Sequence, residues 1–244
     1  MTLYLDIGNT AMKWRWRRGD ACLQGDAVHH RDWETLARVL AEPLAEAQRV
    51  EVASVAGRDA DRELDAALTA LSRVAPRFYY AVAMDAGVTN AYKEPARLGV
   101  DRWLAVIDAW HRYGEGIIVD CGSALTLDGV DRLGRHLGGY IVPGLMMMER
   151  SLISGTGSVH VTGAPEVESI EPGCSTTTGV RNGILRMTVA FITDAVVALR
   201  GGLSDTCPVL LTGGDASRVA PHLQMNVVLA PDLVLDGLER VTAN

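Results

Sequence analysis

The sequence is poor in cysteine, and the cysteines that it has show no paired spacing. Four occur among 244 residues, and they lie far apart, at Cys22, Cys121, Cys174 and Cys207. Zinc sites and disulfide frameworks both use cysteines at short, regular spacings. The pattern argues against either and predicts reduced, partly buried thiols.

Positive charge is also scarce. The 23 Lys and Arg residues are outnumbered by 30 Asp and Glu, so the net charge is −7. Acids and arginines are interspersed along the chain, so we predict no basic face that could neutralise a run of phosphates on DNA or RNA. We therefore expect no nucleic-acid partner.

Long hydrophobic runs are missing as well. No apolar run approaches the roughly twenty residues of a membrane-spanning helix, and Asp6 interrupts the apolar N-terminal segment earlier than in a secretion signal. We expect a cytoplasmic protein that does not bind a membrane. Because 48% of the residues are hydrophobic, the chain can still bury a core, and its length admits one large domain or two lobes.

Strands and helices alternate along the chain, as is typical of helices packed on a mostly parallel sheet. The chain opens with three predicted strands, Thr2–Ile7, a strand from Met12 to Arg17, and Ala21–Val28. The later predictions are helices at Asp32–Ala47, Asp59–Arg73, Leu98–Tyr113 and Thr176–Leu199, a helix opened by Pro143, and strands at Val50–Val55, Phe78–Val82, Gly116–Val119, Leu125–Val130, His136–Val142 and Val209–Leu211.

One local pattern occurs twice. A strand runs into Asp6-x-Gly8, a small polar residue, a turn and a second strand, and the same order recurs from Asp120-x-Gly122. The simplest alternative is coincidence, because Asp-x-Gly is a common turn. Since the strand context recurs with the motif, we interpret the repeat as an internal duplication, with lobes at 1–115 and 116–244.

Both turns have the chemistry of phosphate sites. A glycine between two strands lets backbone N–H groups approach phosphate oxygens, and Asn9 and Thr10 add side-chain donors. Asp6 can hold Mg²⁺ directly or through water, and Lys13 can reach a phosphate as a point charge. Taken alone, the segment is equally compatible with an inert hairpin and a solvated lysine. Neither a Walker loop nor a Gly-x-Gly-x-x-Gly dinucleotide motif is present.

Three motifs in order resemble those of the superfamily of acetate and sugar kinases, heat-shock chaperones and actin. They are Asp6-x-Gly8-Asn9-Thr10, Asp120-x-Gly122-Ser123-Ala124 and Thr212-Gly213-Gly214-Asp215. The resemblance implies an α/β fold of two ribonuclease H-like lobes, each a mixed sheet with packed helices, that bind ATP between them. The ATP and phosphate-binding positions that it implies are Asp6, Ile7, Gly8, Asn9, Thr10, Ala11, Met12, Lys13, Gly122, Ser123, Gly213 and Gly214.

Within that superfamily, the stretch from Tyr92 to Arg102 resembles the substrate-binding signature of type III pantothenate kinases, and 138–144 is similar to another block of that family. The resemblance implies ATP-dependent phosphorylation of pantothenate, the first step of coenzyme A biosynthesis. It also implies Mg²⁺, a monovalent cation such as K⁺ or NH₄⁺, and a homodimer. Another phosphotransferase or phosphatase of the superfamily, and a non-catalytic regulator, are the alternatives.

The resemblance assigns roles residue by residue. From spacing alone, Asp101 and Arg102 would be an ordinary surface pair, but Asp101 matches the family's general base. The implied substrate-binding positions are Tyr92, Gly99, Val100, Asp101, Arg102 and Thr176. Asp120 matches a monovalent-cation ligand. Ser123 stands where the family commonly has a threonine that touches ATP, and serine keeps the hydroxyl group.

Overall fold

The computed structural model describes residues 1–28, 33–72, 74–163 and 168–243. The chain divides by its internal contacts into two compact units: Met1–Asp108 together with Asp232–Asn244, and Ala109–Pro231.

The described part is a mixed α/β structure. Its strands are β1 Thr2–Ile7, β2 Met12–Arg18, β3 Ala21–Val28, β4 Arg49–Ser54, β5 Arg77–Tyr79, β6 Met84–Asp85, β7 Val88–Thr89, β8 Gly116–Cys121, β9 Ala124–Val130, β10 His136–Pro143, β11 Val209–Thr212 and β12 Val228–Leu229. Its α-helices are α1 Trp33–Val39, α2 Ala41–Glu46, α3 Arg58–Ser72, α4 Val100–Tyr113, α5 Leu145–Gly155, α6 Thr176–Arg200, α7 Ala216–Val219 and α8 Leu233–Thr242, with short 3₁₀ turns at Pro95–Arg97 and Ala220–His222.

Both large sheets have the same topology. The first has the order β3-β2-β1-β4-β5 and the second β10-β9-β8-β11-β12. In each, an antiparallel meander of three strands is extended by two parallel strands on the side of its first strand. This is the mixed sheet that the resemblance implied, rather than a mostly parallel one. The shared order is also what an internal duplication predicts.

Alternating apolar residues build the core of the first unit. Leu3 and Leu5 of β1 and Val50 and Val52 of β4 are fully or almost fully buried. They pack with Leu36, Leu40, Leu44, Leu64 and Leu68 from α1 to α3 and the residues between them. Because each strand has one face against these helices, its other face is left for further packing.

The predicted helix at Asp32–Ala47 is two helices, α1 and α2, that meet at Leu40. Pro43 explains the break, because proline has no N–H and its ring clashes with the carbonyl group four residues earlier, that of Val39. Asp32 lies outside the described residues, as does Arg73 at the end of the predicted helix Asp59–Arg73, which corresponds to α3.

The predicted strand Phe78–Val82 is shorter in the structure, where β5 ends at Tyr79. Beyond it lies a small hairpin of β6 and β7 that the pattern did not predict. Its two central residues, Ala86 and Gly87, have φ values of 45° and 82°. Two positive φ values in succession are typical of the tight turn that joins two-residue hairpins.

The last helix, α8, was also not predicted, and it belongs to the first unit. It buries Leu233, Leu235 and Leu238 and contacts β1, β2 and β4. The unit boundaries therefore differ from lobes at 1–115 and 116–244, because residues 232–244 pack with the N-terminal sheet. As a statement about evolutionary domains, the division near residue 115 stays a prediction.

One helix, α6, is long and apolar enough to cross a membrane by length and composition. That finding departs from the expectation that no apolar run approaches this length. Arg186 and Asp194 interrupt the apolar sequence of this helix. Ile184, Leu185 and Ile192 on it are part of the core of the second unit. The expectation of no membrane partner stays a prediction.

Candidate active site

The first Asp-x-Gly turn joins β1 to β2. Asp6 and Lys13 are directly paired across the two strands, so their side chains leave the same face of the sheet. The Gly8 N–H donates to the carbonyl oxygen of Ala11 over 2.9 Å, and Asn9 and Thr10 are exposed at the tip. The turn therefore presents polar groups to solvent on a rigid strand pair.

Two predicted phosphate-binding residues in this turn have buried side chains. Ile7 is 2% exposed and Met12 is fully buried, and they face each other across the strands. Their side chains belong to the core, so only their backbone groups can take part in binding. Sequence position alone could not separate these core side chains from the exposed ones beside them.

The second turn joins β8 to β9 and is tighter. Gly122 donates its N–H to the carbonyl oxygen of Ala124 over 3.1 Å, and Asp120 is paired with Thr126. The Gly144 N–H donates to the carbonyl oxygen of Ser123 over 3.1 Å. A Cβ atom on Gly144 would overlap the backbone of this turn. The last residue of the block 138–144 therefore packs directly against the turn.

The double glycine after β11 lies against this second turn. Thr212 pairs with Asp120 in the parallel register of β11 and β8, and the Asp215 N–H donates to the carbonyl oxygen of Cys121 over 2.9 Å. Gly213 has a φ of 87°, and a Cβ atom there would overlap Asp120 Oδ1 and the backbone of Cys121. The structure thus brings Asp120, the predicted cation ligand, against the predicted ATP-binding motif Thr212-Gly213-Gly214-Asp215.

Negative charge concentrates around that contact. Burial, and to a smaller extent the nearby carboxylates of Asp120 and Asp215, together raise the pKa of the Cys121 thiol to about 12. Asp215 is paired with Arg218, whose Nη1 lies 2.7 Å from Asp215 Oδ1, so Asp120 is the carboxylate of this turn that is predicted to bind a cation. Among the residues that the structure describes, no cluster of three or more His, Cys, Asp or Glu could hold a metal by itself. Any cation here would need backbone or phosphate oxygens as further ligands.

Asp101 lies in the first turn of α4, where the helix N-terminus favours a carboxylate. Its Oδ1 accepts the Arg102 N–H over 2.7 Å. The Val55 N–H donates to the carbonyl oxygen of Ile7 over 3.0 Å, and a Cβ on Gly99 would lie 3.8 Å from Val55 Cγ1. Asp101 therefore stands at the same end of the first sheet as the turn at Gly8.

Beside Asp101, the buried Arg102 is paired with the partly exposed Tyr92. The Arg102 Nη1 donates to the Tyr92 hydroxyl over 2.9 Å, and the guanidinium carbon lies 5.9 Å from the centre of the Tyr92 ring. Arg102 is 6% exposed, although its position looked like a surface one in the sequence. Gly99 and Val100 lead into α4 just before this pair.

Thr176 belongs to the other unit of the chain. It is the first residue of α6, and its side chain is exposed. The helix is capped by Ser175, whose side chain accepts the Thr178 N–H over 3.2 Å. The hydrogen bonds of this cap join Ser175 to Thr178 and do not reach the second Asp-x-Gly turn.

Three residues support the site without having been assigned a role from the sequence. Gly144 and Asp215 hold the second turn, as described above. Asn90 binds the loop that carries Tyr92 and is 9% exposed. Asp215 belongs to a recognised motif and Gly144 to a recognised block, so both could have been chosen from the sequence. Asn90 has no local signal, because its hydrogen bonds reach segments on both sides of it.

Solved structures show the class of fold. The chain superposes on a protein from Campylobacter jejuni assigned to the Baf family of transcriptional activators, with a TM-score of 0.58, 18% identity, and 99% and 97% of the two chains covered. It also superposes on a protein from Sinorhizobium meliloti assigned as a 2-dehydro-3-deoxygalactonokinase, with a TM-score of 0.52, 14% identity, and 99% and 98% covered. At these identities the likeness shows the fold alone, and that fold is the actin-like ATPase and sugar kinase fold.

Sequence comparison identifies the family within that class. A profile of type III pantothenate kinase matches residues 2–198. A type III pantothenate kinase from Alcanivorax borkumensis is 49% identical over 244 residues, which cover 100% of this chain and 99% of the relative. The chain belongs to the type III pantothenate kinase family. It is a kinase that uses ATP to phosphorylate pantothenate in coenzyme A biosynthesis.

Proposed function

We propose that Asp101 is the general base that accepts the proton of pantothenate's primary hydroxyl group as that oxygen attacks the γ-phosphate of ATP. The observation that carries this proposal is the position of its carboxylate. It lies at a helix N-terminus, next to the Tyr92–Arg102 pair, and at the sheet end that carries the turn at Gly8. A carboxylate base works when it is held within hydrogen-bond reach of the hydroxyl group.

The substrate side of the site follows from the same group. Arg102 has five N–H donors on a planar fork, which suits a carboxylate such as that of pantothenate. Burial and the Tyr92 hydroxyl fix the orientation of this guanidinium group. We assign pantothenate binding to Tyr92, Gly99, Val100, Asp101 and Arg102. We also assign it to Thr176, whose hydroxyl group is exposed, and this last assignment is supported only by the family resemblance.

The ATP side uses the glycine turns. At the first turn, ATP is bound by the backbone groups of 7–12, the side chains of Asn9 and Thr10, and the Lys13 ammonium group. At the second they are Gly122 and the Ser123 hydroxyl group, and Gly213 and Gly214 would let the nucleoside approach the backbone closely. Phosphoryl transfer depends mainly on positioning and charge neutralisation, so these residues contribute alongside the base.

The residues present also fit two kinds of cation. Mg²⁺ is commonly held by one or two carboxylates together with substrate phosphates and water, and Asp6, at the end of β1, offers one carboxylate beside the first turn. A monovalent cation, K⁺ or NH₄⁺, fits the carboxylate of Asp120 at the second turn, because the neighbouring Cys121 thiol stays neutral and the neighbouring Asp215 is paired with Arg218. When bound, such cations neutralise phosphate charge.

We further propose that the protein works as a homodimer in the cytoplasm, without nucleic-acid or membrane partners. The family resemblance supports the dimer, and the charge pattern of the sequence supports the absence of a nucleic-acid partner. Size-exclusion chromatography with light scattering measures the oligomeric state directly, and a monomeric mass at working concentrations would contradict the dimer.

The test of the base is pantothenate-dependent ADP release by Asp101→Asn. Because the amide cannot accept the proton, turnover should fall about 10²- to 10⁴-fold while ATP still binds. Asp59→Asn is the matched control, because Asp59 lies in the first turn of α3 and its side chain is 92% exposed. Near-normal turnover of Asp101→Asn would overturn the assignment. Running the wild-type assay in matched K⁺ and Na⁺ buffers tests the cation, and equal rates would argue against a monovalent-cation site at Asp120.

A further inference from the structure

A single buried asparagine, Asn90, ties together the chain segments that carry the proposed pantothenate site. It follows β7 directly and is 9% exposed. Its backbone N–H donates to the carbonyl oxygen of Ala83 over 2.9 Å, which closes the β6–β7 hairpin. Its side chain makes further hydrogen bonds of its own.

The side-chain amide of Asn90 makes three hydrogen bonds, all to backbone groups. Its Oδ1 accepts the Tyr92 N–H over 2.9 Å, and its Nδ2 donates to the carbonyl oxygens of Val82, over 3.2 Å, and Pro95, over 3.3 Å. An amide is the side chain that can accept from one segment and donate to two others at once. Aspartate would lack the donors, and serine would be too short to reach both carbonyl groups.

Two of these bonds lead to the proposed substrate residues. Tyr92 carries the hydroxyl group that accepts from Arg102. Pro95 begins a 3₁₀ turn, and its carbonyl oxygen also accepts the Leu98 N–H over 3.1 Å. Helix α4 begins two residues after Leu98, and Asp101 is its second residue. Asn90 thus joins the loop of Tyr92 to the segment that leads into the base.

We propose that Asn90 is a positioning residue for pantothenate: it sets the distance between the Tyr92 backbone and the start of α4, and so the orientation of the Arg102 guanidinium group. The inference rests on the proposed substrate site. It predicts that a change at Asn90 weakens pantothenate binding while the turns that are assigned to ATP keep their function, because the Asn90 side chain bonds Val82, Tyr92 and Pro95.

The test is a comparison of steady-state constants for Asn90→Ala, Asn90→Ser and wild type. In Asn90→Ala the KM for pantothenate should rise about tenfold or more, as expected when buried hydrogen bonds are lost. The KM for ATP and kcat should stay within about threefold, because uniform substrate binding is what is lost. Asn90→Ser keeps an acceptor for the Tyr92 N–H, so it should fold better and give an intermediate KM.

A matched control separates positioning from general loss of stability. Ser72 is 5% exposed, and its hydroxyl group bonds the carbonyl oxygens of Leu68 and Val74 at the end of α3. Ser72→Ala also removes buried side-chain-to-backbone hydrogen bonds from the first unit. It should lower the melting temperature without raising the KM for pantothenate.

A double-variant cycle with Tyr92→Phe distinguishes the two ways of failing. If Asn90 acts through Tyr92, Asn90→Ala should add less than about threefold in a Tyr92→Phe background. A raised KM in Tyr92→Phe with a normal KM in folded Asn90→Ala would overturn the role of Asn90 and leave the substrate site standing. A normal KM in Tyr92→Phe would overturn the proposed substrate site itself, and the inference with it.

Discussion

At the scale of single residues, glycine positions in the second unit are determined by close approach of backbone segments. Gly213 combines a φ of 87° with a Cβ position that would overlap Asp120 and Cys121. An L-residue is strained in that conformation, and the overlap adds to the strain. The turn at Gly122 and the nucleoside motif can therefore adjoin only if this residue has no side chain.

We expect Gly213→Ala to destabilise the protein by about 1–3 kcal/mol and to raise the KM for ATP. Gly138→Ala is the control, because Gly138 has a similar φ of 82° but nothing within 4 Å of its Cβ position. Urea denaturation of both variants measures the difference. Equal destabilisation would show that φ alone matters and that the contact with Asp120 does not.

Burial divides the four thiols into two classes. Burial raises the pKa of Cys121 to about 12 and that of Cys207 to about 11, and both side chains are buried, whereas Cys22 and Cys174 are exposed. Since the thiolate is the reactive form, a disulfide reagent at pH 8 should modify Cys22 and Cys174 in the native protein and all four thiols in denaturant. Rapid reaction of a third thiol without denaturant would contradict this division.

At the scale of elements, the small β6–β7 hairpin contains one residue in a backbone conformation that lowers its stability. Ala86 is, among the described non-glycine residues, the one with a positive φ, 45°. Left-handed backbone is unfavourable for alanine but is tolerated by asparagine. The hairpin precedes Asn90 directly, so its stability also bears on the loop that carries Tyr92.

Ala86→Asn should stabilise the protein by about 0.5–1 kcal/mol without changing the Asn90 hydrogen bonds. Thermal unfolding followed by circular dichroism measures the change. Asn introduced at Ala96, which is exposed and has no positive φ, provides the comparison. A lower melting temperature for Ala86→Asn than for the comparison variant would show that the backbone conformation is not the limiting factor.

At the scale of the whole molecule, the two ends of the sequence are joined by a charge cluster. Arg15 on β2 is 3% exposed, and its Nη1 donates to Glu239 Oε2 over 2.8 Å and also to Asp236. Arg17 donates to the same glutamate. A buried arginine left without its carboxylate partners is strongly destabilising, so this cluster commits α8 to the first unit.

Glu239→Gln should cost about 1.5–3 kcal/mol and should flatten the acid limb of the stability curve. Burial would raise the pKa of Glu239, but hydrogen bonds and charge from Arg17 and Arg15 lower it overall. A lowered native pKa contributes stability above the unfolded value, about 4.3, which is lost as pH falls through the native value. Urea denaturation at pH 7 and pH 4 measures both effects. Glu94→Gln, in an exposed pair with Arg97, should change little, and an unchanged pH slope in Glu239→Gln would contradict the linkage.

The sequence by itself determined the local chemistry of this protein. The two Asp-x-Gly turns, the Gly-Gly after β11 and the strands around them were predicted, because strand periodicity and glycine turns depend on neighbouring residues. The family followed from motifs in the same short stretches. Two groups of errors had local causes: Pro43 divided a predicted helix, and the hairpin at Ala86 lacks the usual Asn-Gly signal.

Only the tertiary structure decided which of these pieces touch. Four contacts between distant segments had to be seen in the structure. Helix α8 packs with the N-terminal sheet, and Gly213 lies against Asp120. Ile7 and Met12 are core side chains, and Asn90 joins the loop of Tyr92 to the start of α4. Their partners are set by the packing of whole elements and by the need to pair buried polar groups, neither of which leaves a pattern in neighbouring residues.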